Sequence, residues 1–509
     1  MTQANLLDFM KRPGMYNPVP ATVECIETHA SVVFLAGDFA YKVKRAVKYP
    51  FLDFSTLERR HSALLNELRL NRRTAPQLYL EVVPITEEPG GVFRLRGEGE
   101  AVEWALVMRR FPQESLLDHM AEDGRLALAA MAPLARAIAD LHGAADRSLT
   151  EGQAVRPLAA IIAEHEDVLT QNADVFPPDR AKIFIERTRQ AFETLTPLLR
   201  ARARGGFVRH CHGDLHLRNI VEIDGEPVLF DALEFDDSLA TIDVLYDLAF
   251  LLMDLGKRGL KPHANAVLNA YLDDSDSGNL LGLAALPLFL SLRAMIRAKV
   301  ALLRGRQSGP VDTATLEEVR DYFALACGYL EPSRPHLIVV GGLSGSGKST
   351  IAQAIAPEVA PFPGAVVVRS DATRKVLFGV PPEARLPESA YMQAVSDAVY
   401  ALCRKRAALA LEAGWPVIVD AVHAKPQERA DVAALAAEHG ASFTGLWLDV
   451  PADVMRARVG ARQGDISDAT PQVVEAQLTY DLGRMDFARV DASGAVDDVA
   501  ARCLEHIKR

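Results

Sequence analysis

One short stretch constrains the fold of this chain more than any other: GLSGSGKS, from Gly342 to Ser349. It matches the Walker A pattern G-x-x-x-x-G-K-[ST] and lies between the apolar strand LIVVGG and the helical segment TIAQAIA, which is the context this pattern requires. Glycines let the backbone wrap a polyphosphate with its N–H groups pointing inward, at the start of a helix. The stretch therefore predicts a phosphate-binding P-loop, and its context argues against a glycine-rich turn that binds nothing.

Each part of the predicted P-loop has a chemical task. Lys348 is expected to contact the β- and γ-phosphates, and Ser349 is expected to hold Mg²⁺. The candidate nucleotide-binding residues are Gly342, Ser344, Gly345, Ser346, Gly347, Lys348, Ser349 and Thr350.

Apolar strands continue after the loop in AVVVRSD, PVIVDAVH and FTGLWLDV, alternating with helices. This alternation predicts an α/β domain with a parallel sheet covered by helices. Because ligands bind at the carboxyl ends of such strands, polar side chains there are candidates for the site. Asp371 is the candidate to accept a hydroxyl proton or orient the acceptor, although a helix cap is the alternative. Arg374 is expected to hold an anionic part of the acceptor, and Asp420 to hold the Mg²⁺ shell.

The segment MRARVGARQGDISDAT places several arginines near a turn. A mobile lid uses such side chains to neutralise a phosphoryl group in transfer. We choose Arg458 and Arg462 as catalytic candidates, with a solvated helix face as an equal alternative.

Together, the P-loop, RSDATRK, VIVDAVH and the arginine-rich segment resemble the small-molecule P-loop kinases, such as gluconate kinase, shikimate kinase and zeta-toxin-type kinases. The resemblance covers about residues 336–509. It implies ATP as the phosphoryl donor, with GTP as an open alternative, and Mg²⁺ as the metal. The acceptor stays open.

A second catalytic pattern lies in CHGDLHLRN, from Cys211 to Asn219. Kinases with a loop of the form H-x-D-x-x-x-x-N use its Asp to accept the hydroxyl proton and its Asn to bind metal. Asp214 and Asn219 have this spacing. In VLFDALEF, Asp231 lies at a strand end, where the same scheme requires a second metal ligand.

The segments before this loop fit the same scheme. FAYKVK offers Lys42 for the α- and β-phosphates, although Lys44 lies on the same face of the predicted strand. The helix that follows offers Glu67 as the ion-pair partner, and ALVMRRF is expected to form the hinge strand next to the adenine. These residues could instead be ordinary surface charges, but their joint order favours a phosphotransferase site.

HGDLHLRN, FDALEF and YDLAFLL resemble the aminoglycoside phosphotransferase family, whose fold is protein-kinase-like and two-lobed. The longer string from ETHASVVFLAG to NELRLNRRTAP resembles the bacterial branch fused to a P-loop kinase. This resemblance implies that Asp214 is the catalytic base, that Asn219 and Asp231 bind Mg²⁺, and that Lys42 contacts nucleotide.

The chain departs from the kinase pattern in two places. IETHASVV stands where a glycine-rich nucleotide loop is expected, which leaves Thr28, His29 and Ser31 as candidate donors. The metal motif reads DAL, so that Glu234 joins Asp231 as a candidate ligand. The acidic segment from Glu234 to Asp247 could line a cationic acceptor site, order the catalytic loop or simply be solvated.

The two patterns predict two domains in this chain of 509 residues. We place the linker at EPSRPH, with a kinase-like α+β domain at 1–332 and a P-loop domain at 333–509. The first divides into a small lobe at about 1–111 and a large lobe at about 112–332. Locally, Gly37-Asp38 predicts a hairpin, Ser55-x-x-Glu58 predicts a capping box, and the apolar run at 280–292 predicts a buried helix too short to span a bilayer.

Composition narrows the classes of partner and compartment. The formal net charge of −11 argues against non-specific nucleic-acid binding. The five dispersed cysteines indicate neither zinc nor disulfides, and no secretory leader is recognisable, so we expect a cytoplasmic protein without membrane contact. The expected partners are small-molecule hydroxyl acceptors, and the oligomeric state is open.

The sequence thus favours an ATP- and Mg²⁺-dependent enzyme with two phosphotransferase sites acting on a sugar, an amino sugar or a related metabolite. In one alternative, one half binds nucleotide without turnover and regulates the other. In another, the P-loop half is a toxin-like or polynucleotide end kinase.

Overall fold

The computed structural model describes residues 3–49, 52–88, 90–307, 309–381, 384–461 and 467–508. The chain forms two compact units, residues 1–158 with 200–251 and residues 159–199 with 252–509. The expected domain boundary at 332/333 stays a prediction.

The first unit is built on a six-stranded antiparallel sheet with the strand order β1-β2-β3-β8-β6-β7. Apolar side chains on β2, β3 and β8 make its core, and the predicted hairpin at Gly37-Asp38 joins β2 to β3. The sheet strands are β1 (Val23–Glu27), β2 (Ser31–Ala36), β3 (Phe39–Lys44), β6 (Tyr79–Glu88), β7 (Val92–Leu95) and β8 (Ala101–Arg109), and β4 (Lys48–Tyr49) pairs with β5 (Leu52–Asp53).

Helix α2 (Leu57–Asn71) packs on this sheet and starts one residue later than predicted. Its N-cap is Thr56, whose Oγ1 accepts from Arg59 N–H at 3.3 Å. Ser55 instead donates its hydroxyl to Asp53 at 2.6 Å, so the predicted capping box at Ser55 is wrong. The partner of Ser55 is thus the last residue of β5, and Thr56, the residue after Ser55, caps the helix.

Helices and short hairpins make up the rest of the first unit. β10 pairs with β11 and β9 with β12, both antiparallel, and these pairs frame the segment 211–219. The helices are α1 (Gln3–Met10), α3 (Leu117–Glu122), α4 (Met131–Ala144) and α7 (Asp237–Ala240), and the strands are β9 (Val208–His210), β10 (Ile220–Ile223), β11 (Glu226–Leu229) and β12 (Thr241–Asp243). Three helices contribute residues to both units: α5 (Glu151–Gln171), α6 (Pro178–Arg204) and α8 (Val244–Lys257).

The second unit begins with a helical part whose apolar faces are buried. The helices are α9 (Lys261–Asp274), α10 (Gly278–Gly282), α11 (Leu286–Gln307) and α12 (Thr313–Tyr329). Among the described residues, one stretch, Gly278–Arg306, is long and apolar enough to cross a membrane, but 78% of its most apolar window is buried. The run at 280–292 is therefore buried as predicted, within a helical stretch longer than the run itself.

The second unit also contains a five-stranded parallel sheet with the strand order β14-β15-β13-β16-β17. Its strands are near-continuous apolar runs because helices cover both faces, and the predicted parallel sheet is confirmed. The strands are β13 (His336–Gly341), β14 (Val366–Arg369), β15 (Val417–Asp420), β16 (Ser442–Asp449) and β17 (Ala488–Asp491), and the helices are α13 (Lys348–Ile355), α14 (Ser370–Leu377), α15 (Gln393–Glu412), α16 (Pro426–Glu438), α17 (Ala452–Gly460), α18 (Pro471–Leu478) and α19 (Val496–Ile507).

Candidate active sites

The segment 211–219 brings the predicted base and metal ligand together in the first unit. Asn219 Nδ2 donates to Asp214 Oδ2 at 3.0 Å and to the Asp214 carbonyl at 2.9 Å. The Asp214 side chain is 41% exposed, and His216 Nε2 lies 3.5 Å from its carboxylate. An accessible carboxylate held by an amide can accept a proton from a hydroxyl group that reaches it.

Asp247, in the first turn of α8, holds this segment in place through hydrogen bonds. Its buried carboxylate accepts from Gly213 N–H at 2.9 Å, from His212 N–H at 3.0 Å and lies 3.1 Å from His142 Nε2. Of the alternatives for the acidic segment, loop ordering thus holds for Asp247. One of its carboxylate oxygens lies within 4.8 Å of the potential ligand atoms of His142 and Cys211, and each of the two oxygens accepts from a backbone N–H group of the loop.

Lys42 lies between two carboxylates at the floor of the site. Its Nζ is 2.7 Å from Glu67 Oε1 and 2.8 Å from Asp231 Oδ1, so the structure brings all three predicted residues together. Burial alone lowers the pKa of Lys42, but Asp231 and Glu67 outweigh it and raise the pKa well above its ordinary value. Lys42 therefore carries a positive charge, as a residue that contacts phosphate must.

Lys44, the alternative to Lys42, is used differently. Its Nζ lies 2.7 Å from Glu67 Oε2 and 2.5 Å from Glu234 Oε1, and its side chain is only 2% exposed. Burial raises the pKa of Glu234 even though Lys44 opposes the shift. Glu67 is thus shared by two lysines, and Glu234, a candidate metal ligand from the sequence, is placed against Lys44.

Hydrogen bonds join the loop that carries Asp231 to the six-stranded sheet and to α2. Asp231 has a positive φ of 58°, which is uncommon for a residue other than glycine. Its N–H donates to Tyr79 Oη at 3.1 Å, and Ala232 N–H donates to Asn71 Oδ1 at 2.8 Å. Sequence reasoning missed Tyr79 and Asn71, because a side chain that binds backbone far along the chain leaves no spacing signal.

An apolar cavity lies next to Lys42. Residues 108–111 of the predicted hinge segment are part of its lining, and so is Asp231. The apolar lining comes from Ile26, Val33, Leu35, Ala40, Leu78, Met108, Phe111, Leu116 and Phe230. An apolar cavity whose lining includes a cation and a carboxylate suits a nucleotide with a bound metal ion.

The glycine-free segment between β1 and β2 closes on itself. Thr28 N–H donates to the Ser31 carbonyl at 2.9 Å, and Ser31 N–H donates to Thr28 Oγ1 at 2.9 Å. Two of the candidate donors are therefore engaged within this turn.

The P-loop of the second unit has the backbone that its glycines predict. Gly345 has a φ of 85°, and a Cβ there would lie 2.6 Å from the Met455 carbonyl. Helix α13 begins at Lys348 with Gly347 as its N-cap and without a side-chain cap, which leaves its first N–H groups for a ligand. Ser346 Oγ is buried and has no hydrogen-bond partner among the described residues, as expected of a residue that lines a phosphate site.

A carboxylate and a hydroxyl meet beside this loop. Ser349 Oγ donates to Asp420 Oδ2 at 2.6 Å, so the two predicted metal ligands are adjacent. Burial raises the pKa of Asp420, and the charges of Lys348 and Arg369 oppose this shift. Lys348 Nζ donates to the Leu343 carbonyl at 3.1 Å, so its side chain extends across the P-loop.

The acceptor side agrees less well with the sequence. Asp371 lies in the first turn of α14, whose N-cap is Arg369, so Asp371 does not cap this helix. Arg374 is turned inward: its Nη1 donates to the Ala390 carbonyl at 2.5 Å, and its guanidinium lies 4.9 Å from the centre of the Tyr391 ring. A substrate could reach Arg374 only after a rearrangement.

The arginine-rich segment divides in two. Arg458 Nη1 donates to the Ser346 carbonyl at 3.4 Å, which brings one predicted catalytic arginine to the P-loop. Arg462 lies outside the described residues. Gln477 on α18 was missed by sequence reasoning, yet its Oε1 accepts from Ser344 N–H at 2.7 Å.

Known families and proteins match both parts of the chain. Residues 51–281 match the family model "Phosphotransferase enzyme family", and residues 337–482 match the model "AAA domain". Uncharacterized proteins of Mycobacterium tuberculosis and Mycobacterium bovis are 33% identical over 93% of this chain and 93% of their own length.

Solved structures show similarity to each part separately. A choline/ethanolamine kinase family protein from Mesorhizobium loti is 16% identical with a TM-score of 0.42, covering 64% of this chain and 95% of its own. A gluconokinase from Sinorhizobium meliloti is 24% identical with a TM-score of 0.26, covering 35% of this chain and 94% of its own. The APS kinase of Mycobacterium tuberculosis, in complex with AMPPNP and APS, is 21% identical with a TM-score of 0.26, covering 35% of this chain and 100% of its own.

These matches confirm the predicted fold class, a kinase-like α+β part followed by a P-loop kinase part with a parallel sheet. They support a nucleotide-using phosphotransferase with ATP as donor and give no support to GTP. The chain therefore belongs to a family of two-part proteins in which a phosphotransferase-enzyme domain, related to the aminoglycoside phosphotransferases, precedes a P-loop kinase domain.

Proposed function

We propose that both parts turn over, each transferring the γ-phosphoryl group of ATP with Mg²⁺ to a hydroxyl of a small molecule. The observation that carries this proposal is that each part places a carboxylate suited to a metal beside a second residue of its predicted nucleotide site: Asp231 lies 2.8 Å from Lys42, and Asp420 lies 2.6 Å from Ser349. The first part also has an accessible carboxylate, Asp214, that can accept a proton and that lies 3.0 Å from Asn219 Nδ2.

In the first site, Asp214 accepts the proton of the acceptor hydroxyl, while Asn219 and Asp231 hold the metal and Lys42 contacts the phosphates. Asp214 is the accessible carboxylate on the segment that Asp247 holds in place. In the second site, Lys348 and Arg458 stabilise the phosphoryl group in transfer, Ser349 and Asp420 hold the metal, and Asp371 receives the acceptor proton.

The acceptor class is a sugar, an amino sugar or a related metabolite in a cytoplasmic setting. The net charge of −11 supports a small molecule over nucleic acid as the partner. We assign no more specific acceptor.

The experiment is an ATP-consumption assay against sugars, amino sugars, nucleosides and aminoglycosides, with products identified by mass, for wild type, Asp214→Ala and Lys348→Ala. Two working sites would be supported by two acceptors whose phosphorylation is lost in different variants, one in Asp214→Ala and the other in Lys348→Ala. A wild-type protein whose products are unaffected by Asp214→Ala would contradict turnover in the first part.

The second candidate function makes the first part a nucleotide-binding regulator of the second. The turn in which Ser31 N–H already pairs with Thr28 Oγ1 favours it, because that amide is then not offered to phosphate. Under this alternative, wild type forms only products that Lys348→Ala abolishes.

A further inference from the structure

One edge of the P-loop sheet is completed by a helix of the second unit that lies outside the P-loop part, the segment 337–482 matched by the AAA-domain model. In the part of the chain that the structure describes, β14 is the last strand of the sheet and pairs with β15 on one side only. An unpaired strand edge leaves N–H and C=O groups without partners. Here the open side of β14 faces α9, which lies within the matched phosphotransferase segment 51–281 and outside the matched P-loop segment 337–482.

Two asparagines one helical turn apart on α9 take the place of a neighbouring strand. Val367 N–H donates to Asn269 Oδ1 at 2.7 Å, and Asn269 Nδ2 donates to the Ala365 carbonyl at 3.2 Å. Asn265 Nδ2 donates to the same carbonyl at 3.0 Å and is 4% exposed. The side-chain amide of Asn269 therefore offers the donor and the acceptor that a strand would offer.

Further contacts show that α9 packs closely against the segment entering β14 and against α15. A Cβ on Gly364 would lie 2.8 Å from Asn265 Nδ2, so glycine permits the approach. Arg406 on α15 pairs with Asp273, near the end of α9, at 2.7 Å. From within the P-loop part, Trp415 Nε1 donates to the Gly364 carbonyl at 3.0 Å, so that both sides hold the segment entering β14.

The strand that α9 holds leads directly into the acceptor side of the second site. β14 ends at Arg369, whose Nε lies 3.6 Å from Asp420 Oδ2, and α14 follows with Asp371 in its first turn. Val367 is two residues before Arg369, so a shift of its backbone is passed to both side chains.

We propose that Asn265 and Asn269 are positioning residues of the P-loop site, and that α9 sets β14 and thereby Arg369 and Asp371. The P-loop part is then incomplete without the helix supplied by the other part of the chain. The effect on catalysis rests on the proposed function of the second site, whereas the hold on β14 rests on the contacts alone.

The test is hydrogen exchange measured by mass spectrometry on the full-length chain, comparing wild type with Asn269→Leu, Asn265→Ala and Asn172→Leu. Asn172 is a matched control, since it is a buried asparagine of the same unit whose Nδ2 donates to the Val168 carbonyl. We expect Asn269→Leu to exchange about tenfold faster or more in peptides covering 364–377, and Asn265→Ala to lie between it and wild type. Asn172→Leu should leave these peptides unchanged.

Unchanged exchange at 364–377 in Asn269→Leu would overturn the proposal, and so would a rise spread evenly over the unit as a loss of stability produces. Product assays separate the two claims. Asn269→Leu should raise the KM of the acceptor whose phosphorylation needs Lys348, with the KM of ATP unchanged. A wild type without any such product would contradict the proposed function of the second site, while the exchange result would still decide the role of α9.

Discussion

The two candidate sites are built by different means. In the first, the cation Lys42 is held by side chains, between Glu67 and Asp231, and the segment that stands where a glycine-rich loop is expected closes on itself through Thr28 and Ser31. In the second, glycines shape the backbone, and α13 begins at the loop itself. A site built from ion pairs should be sensitive to changes of charge, and a site built from backbone should be sensitive to an added Cβ.

The largest effect should come from the base of the first site. Asp214→Asn keeps the size of the side chain but removes the proton acceptor, and we expect kcat for the Asp214-dependent product to fall by about 10²- to 10⁴-fold. Steady-state kinetics would measure this, with AMPPNP affinity as the control for intact nucleotide binding. Unchanged kcat would remove Asp214 from the chemistry.

The ion-pair network should make Lys44 more important for stability than Lys42. Lys44→Met leaves Glu234 and one oxygen of Glu67 without their cation, and breaking a buried pair costs about 3–5 kcal/mol. Chemical denaturation, monitored by a spectroscopic signal from the first unit, would measure this loss in the free energy of unfolding. Lys42→Met is the matched control, since it should raise the KM of ATP with a smaller change in stability; the reverse pattern would exchange the two roles.

Substitution of Lys348, the cation of the second site, should slow only the reaction of the second site. Lys348→Ala is expected to lower kcat of the Lys348-dependent reaction by about 10²- to 10³-fold, because one charge contact to the transferred group is lost. Product formation for both acceptors would be followed in the same sample. A parallel fall in the Asp214-dependent product would mean that the sites are not independent.

The smallest effects should come from the two phosphate-facing loops, and they should differ. Gly345→Ala forces a Cβ to within 2.6 Å of the Met455 carbonyl at a positive φ, and we expect nucleotide affinity of the second site to fall about tenfold or more. Thr28→Ala removes the two hydrogen bonds that Thr28 Oγ1 makes with Ser31 in the first loop, each worth about 1 kcal/mol. The bond from Thr28 N–H to the Ser31 carbonyl remains, so affinity there should change at most a few fold. Calorimetry with AMPPNP would compare them; equal losses would show that the first loop also depends on its backbone shape.

The sequence predicted the residues that act through fixed spacing. Lys42, Glu67 and Asp231 could be found because a strand, a helix and a strand end follow one another in the required order, and the structure joins them within 2.8 Å. The P-loop and its sheet could be found because apolar strands buried on both faces leave a continuous signal.

The residues that sequence reasoning missed act on backbone groups far along the chain. Gln477 and Asn269 each bind an N–H group of another element, and no periodicity marks such a partner. One local prediction failed because another partner was present: Ser55 pairs with Asp53 instead of capping α2. Arg374 donates to the Ala390 carbonyl, and its expected contact with an acceptor stays a prediction.

The central claim is that one chain carries two separately working phosphotransferase sites, and complementation tests it most directly. Asp214→Asn and Lys348→Ala chains would be mixed in equal amounts with ATP, Mg²⁺ and both acceptors, and products would be followed by mass. The account predicts that the mixture forms both products, each at about half the rate given by the same total amount of wild type, because every chain retains one intact site. A product that either variant alone fails to form and that the mixture does not restore would contradict it.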